Sequence, residues 1–208
     1  MGQPSVVDLF PSPLLQWDIG QPELIDALLS EIMAKRAGMR EMGAERVDVD
    51  FFDSSTPERI EFQTVLHRAV GHFIEVLAGG KATVLPGYEP RGVARLIHKG
   101  DFLAPWETSR FDLSGIVYLD IGDGPSLDLR GFIEFLDPRA AVKPLPGRRL
   151  SLNARATPQR GLLLLYPGWL RRVIYPYAGK QPRVIFDYDI RFRATTGAEA
   201  PKGTDDDR

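Results

Sequence analysis

Residues 183–193 read RVIFDYDIRFR, and this stretch decides the fold class. Aromatic and aliphatic side chains alternate there with charged ones: Phe186, Tyr188, Ile190 and Phe192 with Asp187, Asp189, Arg191 and Arg193. Successive side chains of a β-strand point to opposite faces. The pattern therefore predicts a strand with one buried face and one face turned to solvent or to a cavity.

The sequence preceding this strand, from Val93 onward, consists of short β-rich runs separated by Gly, Pro and Asp. This texture is typical of an antiparallel sandwich or barrel rather than of alternating strands and helices. Six further strands are predicted near 93–98, 113–120, 131–136, 148–154, 161–166 and 171–176.

Two helices and a first strand are predicted before the β-rich part. Val6 to Phe10 is a short apolar run closed by prolines, which favours a strand. Pro22 suits a first helical position and is followed by apolar residues at helical spacing. Thr56-Pro57-Glu58 reads as the start of a second helix that stops at Gly79-Gly80. We expect one domain over 1–193, with helical support at 21–79, a β core at 92–193 and a disordered tail at 194–208.

Composition restricts the possible chemistry. The 208 residues contain no cysteine and three histidines, so any metal site must use His, Asp and Glu. No apolar run approaches the roughly 20 residues of a membrane-spanning helix, and we expect a cytoplasmic protein. Residues 1–138 carry 12 Lys and Arg against 22 Asp and Glu, whereas 139–193 carry 12 against 2. Either the two parts neutralise each other on packing, or the second part holds an anion site.

Four stretches of the β-rich part carry a family resemblance. They read GDF at 100–102, LSGIVYL at 113–119, GFIEFLDPR at 131–139 and GLLLLYPGWL at 161–170. In this order they resemble a bacterial family of 2-oxoglutarate/iron(II) oxygenases, whose start Leu9-Phe10-Pro11 also matches. The resemblance implies a mainly β fold, a double-stranded β-helix of the jelly-roll, cupin-like type, flanked by the two helices.

In that family two histidines and a carboxylate hold ferrous iron and leave positions for 2-oxoglutarate and oxygen. The resemblance places Trp106, Thr108 and Arg172 at these ligand positions. An indole has no lone pair for iron, a threonine hydroxyl is a poor ligand, and a guanidinium is a permanent cation. We therefore expect a degenerate metal site and no bound cofactor.

An arginine that binds the distal carboxylate of 2-oxoglutarate in the family corresponds to Arg183. The family's Arg-x-Ser is here Arg183-Val184-Ile185, which lacks the hydroxyl that would share the carboxylate. We expect an anion site between Arg172 and Arg183, with Tyr118 and Trp169 as pocket candidates. The alternative is that both arginines pair with Asp187, Asp189 or acids of the first part.

The preferred interpretation is an iron-free, oxygenase-like binding, regulatory or partner protein that takes a small anionic ligand or a protein partner. The alternative is an enzyme, using iron and 2-oxoglutarate with His98, Asp101 and Glu107 as unusual ligands, or a metal-free reaction in the same cavity. Six arginines with three aromatic residues could also bind nucleic acid: Arg148, Arg149, Arg155, Arg160, Arg171 and Arg172 with Trp169, Tyr175 and Tyr177. The acidic first part and the net charge of -2 argue against nucleic acid and no feature points to a membrane.

Overall fold

The computed structural model describes residues 12–36, 39–41, 43–80, 85–106, 110–123, 131–136 and 153–193. Within these ranges, two helices support eleven strands. In chain order the elements are β1 (Leu15–Asp18), α1 (Pro22–Ala34), β2 (Arg40–Glu41), β3 (Ala44–Val47), α2 (Pro57–Leu77), β4 (Tyr88–Ile97), β5 (Leu103–Trp106), β6 (Leu113–Asp120), β7 (Ile133–Leu136), β8 (Asn153–Ala156), β9 (Leu162–Pro167), β10 (Arg172–Ile174) and β11 (Arg183–Phe192).

The strands form two antiparallel sheets. The large sheet has the order β1-β9-β6-β11-β4-β3-β2, and the small sheet has the order β5-β10-β7-β8. The central strand β11 pairs with β4 along its whole length and with β6 along most of it. The architecture is the jelly roll that the sequence predicts, mainly β and flanked by two helices.

Two apolar cores lie on opposite faces of the large sheet. One core joins that sheet to α1 and α2 through side chains such as Leu28, Phe62 and Phe186. The other core joins the two sheets through side chains such as Tyr118 and Ile133. Alternation along β11 divides its side chains between the cores, because Phe186 and Tyr188 face the helices while Ile185 faces the jelly-roll interior.

The helices begin where the sequence signals predict. Pro22 opens α1, and the Thr56 hydroxyl caps α2 by accepting from Arg59 N at 3.3 Å. Arg59 also donates through Nε to Glu31 at 3.1 Å, which ties α2 to α1. No helix among the residues described above is long and apolar enough to cross a membrane.

The strand predictions are confirmed for β6, β7, β9, β10 and β11, with shifts of one or two residues at some ends. β4 begins earlier than predicted, at Tyr88, and β8 is described only from Asn153. The run 6–10 and the tail 194–208 lie outside the described residues. Sequence reasoning missed the short strands β1, β2, β3 and β5, which have at most four residues each and are too short for a periodic pattern to be recognised.

Candidate functional site

Strand register arranges the inward side chains of β6, β11 and β4 in rows across the jelly-roll interior. The rows are Tyr118, Ile185 and Arg95; then Ile116, Asp187 and Val93; then Ser114, Asp189 and Arg91. Arg183 begins β11 and pairs with Ile97 beyond the first row. Arg183 is fully buried and Arg91 is exposed. The third row therefore lies at the open end of the jelly-roll interior, which we call its mouth, and Arg183 lies at the closed inner end.

Asp187 is shared by two arginines. Arg95 Nε donates to Asp187 Oδ2 at 2.8 Å, and Arg172 Nη2 donates to Asp187 Oδ1 at 2.7 Å. All three side chains are close to 90% buried. Burial acts to lower the pKa of Arg172, but the charge of Asp187 opposes it and the pKa lies above its usual value. Arg172 therefore remains a cation inside the fold.

Arg183 makes no ion pair with a carboxylate of the described residues. Its Nη1 donates to the carbonyl of Gly131, its Nε lies 3.5 Å from the carbonyl of Ile121, and its guanidinium stacks 4.7 Å from the centre of the Tyr177 ring. Nη2 is buried and has no hydrogen-bond partner in the part of the chain that the structure describes. Burial lowers the pKa of Arg183, and the carbonyls compensate only part of its charge.

Four buried polar atoms of this interior lack a hydrogen-bond partner among the described residues: Arg183 Nη2, Arg95 Nη1, Tyr118 Oη and Tyr166 Oη. Burial raises the pKa of both tyrosines far above the usual value, so both hydroxyls stay protonated. Guanidinium nitrogens and protonated hydroxyls all donate hydrogen bonds. Buried donors without acceptors are rare in native proteins, and this group is complementary to an anion.

An open cavity of about 200 Å³ leads to the second and third rows. Its walls include Arg46, Arg91, Arg95, Arg172 and both aspartates of β11. The ion pairs of Arg46 with Glu41 and Asp48, at 2.6 and 2.8 Å, neutralise that arginine. Asp189 accepts from the Ser114 hydroxyl at 2.6 Å.

The positions that the resemblance assigns to iron come together only in part within the described residues. Trp106 on β5 and Arg172 on β10 are Cα partners in neighbouring strands, so two of the three positions are adjacent. Thr108 lies outside the described residues, as does Glu107. Arg172 carries a positive charge bound to Asp187, and an indole offers iron no electron pair. The residues at Trp106 and Arg172 therefore do not fit a ferrous ion.

The other candidate residues lie elsewhere. His98 Nε2 contacts Glu45 Oε2 at 2.8 Å, and Asp101 Oδ2 accepts from the His98 backbone N–H at 2.9 Å. Within the part of the chain that is described, no three His, Asp or Glu side chains group as metal ligands. Tyr118 points into the interior and Trp169 is 45% exposed. Neither residue lines the cavity described above, and their role as pocket residues remains a prediction.

Sequence reasoning missed Arg95 and Tyr166 as members of this site. The signal for Arg95 was present, because Val93, Arg95 and Ile97 share one face of a predicted strand that also bears the interior side chains. Tyr166 lies in the continuous apolar run of β9, which is buried on both faces, so no alternation separates interior residues from helix-facing ones.

Comparison with solved structures identifies the architecture. A prolyl-4-hydroxylase from Pseudomonas putida aligns with a TM-score of 0.62 and 15% identity, over 88% of this chain and 94% of that chain. HygX from Streptomyces hygroscopicus, solved with nickel and 2-oxoglutarate bound, aligns with a TM-score of 0.59 and 12% identity, over 89% of this chain and 85% of that chain. The α-ketoglutarate-dependent epimerase SnoN of nogalamycin biosynthesis aligns with a TM-score of 0.56 and 17% identity, over 94% of this chain and 87% of that chain.

The chain has the fold of the 2-oxoglutarate/iron(II) oxygenases. No protein-family model matches the sequence, and no curated protein matches it significantly. At identities below 20% the similarity concerns the fold, and the chemistry has to be argued from the residues in the interior.

Proposed function

We propose that this protein binds a small organic anion inside the jelly roll without iron, and acts as a binding or regulatory protein rather than as an oxygenase. The position and burial of Arg172 carry the proposal. This arginine stands at the position that the resemblance assigns to an iron ligand, pairs there with Asp187, and is nine-tenths buried.

A guanidinium at this position disfavours a divalent cation through repulsion and through loss of a ligand. It stays protonated in proteins, so it cannot supply an electron pair at any physiological pH. Asp187 is also occupied, because it accepts hydrogen bonds from two arginines. Drawing Asp187 to a metal would take this carboxylate away from both buried arginines. Breaking a buried ion pair in this way costs about 3–5 kcal/mol.

The unpaired donors favour an anion. Within the described ranges, Arg183 Nη2, Arg95 Nη1 and Tyr118 Oη have no acceptor, and their side chains start from neighbouring positions on three strands of the large sheet. A carboxylate accepts several hydrogen bonds and is matched by the guanidinium fork of arginine. Binding such a group would satisfy donors for which the described part of the chain supplies no acceptor.

The first experiment separates a binding protein from an enzyme. Ferrous iron and 2-oxoglutarate are added without oxygen, and absorbance is followed for the metal-to-ligand charge-transfer band; succinate release is then measured in air. We expect neither signal. A band with turnover would overturn the proposal and favour an oxygenase with other ligands, for which His98, Asp101 and Glu107 are the candidates to substitute.

The second experiment tests the anion. Melting temperature is measured with 2-oxoglutarate, citrate, sulfate and phosphate in turn, since a ligand selective for the folded state at 100 times its Kd stabilises it by about 2.7 kcal/mol. Arg183→Ala should abolish the rise. The control is Arg68→Ala, an exposed arginine on α2, which should retain it. A rise that persists in Arg183→Ala would contradict the assigned site.

A further inference from the structure

We infer that Tyr177 is the positioning residue of Arg183, because its ring and its hydroxyl together hold the guanidinium at the closed inner end of the jelly roll. The inference rests on the proposed function, in which Arg183 binds the anion, and adds to it the residue that sets the geometry of that contact. Tyr177 acts through Arg183 and needs no contact of its own with the ligand.

The ring of Tyr177 takes the place of a counter-charge beside Arg183. The guanidinium carbon Cζ lies 4.7 Å from the centre of the ring, within the distance of about 6 Å at which an aromatic face attracts a cation. This attraction strengthens when both groups are removed from water, and Tyr177 and Arg183 are only 2% and 0% exposed. The ring therefore orients a cation that makes no ion pair with the described residues.

The hydroxyl of Tyr177 fixes the chain on both sides of this guanidinium. Its Oη donates to the carbonyl of Gln181 at 2.8 Å and accepts from the backbone N–H of Asp123 at 3.0 Å. Gln181 precedes Arg183 by two residues. Ile121, two residues before Asp123, provides the carbonyl that lies 3.5 Å from Arg183 Nε. One hydroxyl thus ties together the two segments that flank the guanidinium.

Three glycines leave the space that the Tyr177 side chain occupies. A Cβ added to Gly122 or to Gly179 would collide with Tyr177 Oη. A Cβ added to Gly131 would lie 3.0 Å from the ring carbon Cδ2 and 2.7 Å from Arg183 Nη1. The ring is therefore closely enclosed, and its enclosure keeps it against the guanidinium.

The alternative is that Tyr177 only fills the apolar core between the two sheets, to which it belongs. Filling a core requires volume, whereas holding a cation requires the negative face of an aromatic ring. The two roles therefore predict different results for side chains of similar size at this position.

Three replacements at position 177 separate these roles. Tyr177→Phe keeps the ring face, Tyr177→Met keeps much of the volume without a ring, and pentafluorophenylalanine keeps the ring but reverses the charge on its face. The first readout needs no ligand: NMR relaxation of the Arg183 Nε–Hε group, assigned by its absence in Arg183→Lys, gives an order parameter. We expect a small decrease in Tyr177→Phe and a fall below about 0.6 in the other two variants.

The second readout is the affinity for 2-oxoglutarate, measured by isothermal titration calorimetry on the full chain. Tyr177→Met and the pentafluorophenylalanine variant should bind at least about tenfold more weakly than Tyr177→Phe. Tyr175→Leu is the control, because Tyr175 donates to Glu134 on the outer face of β7 and should leave both readouts unchanged. Circular dichroism checks folding. If Tyr177→Met does not fold, the comparison of phenylalanine with pentafluorophenylalanine carries the test.

The outcomes separate the two proposals. If the wild-type protein binds neither 2-oxoglutarate nor citrate, sulfate or phosphate, the proposed function fails, while the order parameter still tests the positioning of Arg183. If pentafluorophenylalanine leaves the order parameter and the affinity at the values of Tyr177→Phe, the ring acts by volume alone and the positioning role is wrong. A rigid Arg183 in Tyr177→Met would contradict that role as well.

Discussion

Arg172 on β10 donates to Asp187 on β11 at 2.7 Å, and this ion pair joins the small sheet to the large sheet across the jelly-roll interior. Because Asp187 also accepts from Arg95, one carboxylate is the shared counter-charge of two arginines from different sheets. The three residues therefore have unequal importance for stability, with Asp187 at the centre.

We expect Asp187→Asn to destabilise the protein more than Arg172→Met. Removing the carboxylate leaves both arginines buried without a counter-charge and should cost about 3–5 kcal/mol. Removing Arg172 leaves Asp187 still bound to Arg95, and the loss should be on the order of 1–2 kcal/mol. Urea unfolding at pH 7.5 measures both values; equal losses would show that Asp187 is not shared between the two arginines.

Gly131→Ala should disturb anion binding through Arg183. Gly131 has a φ of +74°, and an added Cβ would lie 2.7 Å from Arg183 Nη1, so the guanidinium would have to move. Gly100→Ala is the matched control, since its φ is +87° but no atom lies within 4 Å of the added Cβ. Both variants should lose roughly 1–2 kcal/mol from the left-handed backbone. Only Gly131→Ala should lose the rise in melting temperature with 2-oxoglutarate, and retention of that rise would contradict the predicted role of Arg183.

Histidines at two of the vacated ligand positions should create metal affinity. Trp106 and Arg172 are Cα partners, and partners in antiparallel strands lie about 4.5–5.5 Å apart, which suits two ligands of one ion. We expect Trp106→His with Arg172→His to bind Ni²⁺ in calorimetric titration. Trp106→His alone keeps the cation and should bind at least about tenfold more weakly. Similar affinities in the two variants would show that Arg172 does not repel the metal.

Acid should remove a contribution of Glu45 to stability. The hydrogen bond from Arg36 is the largest cause that lowers the pKa of Glu45 below its ordinary 4.5; burial opposes it, and His98 adds a smaller lowering. A carboxylate whose pKa is lower in the folded state stabilises that state fully above pH 4.5, and the stabilisation is lost as pH falls through the folded value. The difference in unfolding free energy between wild type and Glu45→Gln should therefore narrow below pH 4.5.

Glu61→Gln, a substitution on the exposed face of α2, is the control for this measurement. Its difference from wild type should stay small at every pH, because surface substitutions of this kind usually change stability by less than about 0.5 kcal/mol. A Glu45→Gln difference that does not narrow in acid would contradict the assigned cause of the lowered pKa.

The sequence was sufficient for the fold class. Alternation in residues 183–193 predicts β11, and the proline and threonine at 56–57 predict the start of α2, because these signals are local. Trp106 and Arg172 are Cα partners, and their assignment to former ligand positions remains a prediction. The anion site between Arg172 and Arg183 remains a prediction.

The partners of the arginines could not be read from the sequence. Asp187 lies fifteen residues after Arg172 and ninety-two after Arg95, and only the register of β4 with β11 and the facing of the two sheets bring them together. Alternation shows that Asp187 and Asp189 share a face, but not that one lies among buried arginines while the other reaches the mouth.

The two faces of β11 also have a consequence for folding. A slip of one residue against β4 and β6 would turn Arg183 and Asp187 toward the helices and send Phe186 and Tyr188 between the sheets. In the apolar layer beneath α1 and α2 those ions would have no counter-charge, so a mispaired strand would be heavily penalised. The charges that make this interior costly to bury thus act against misregistered intermediates and help the central strand find a single alignment.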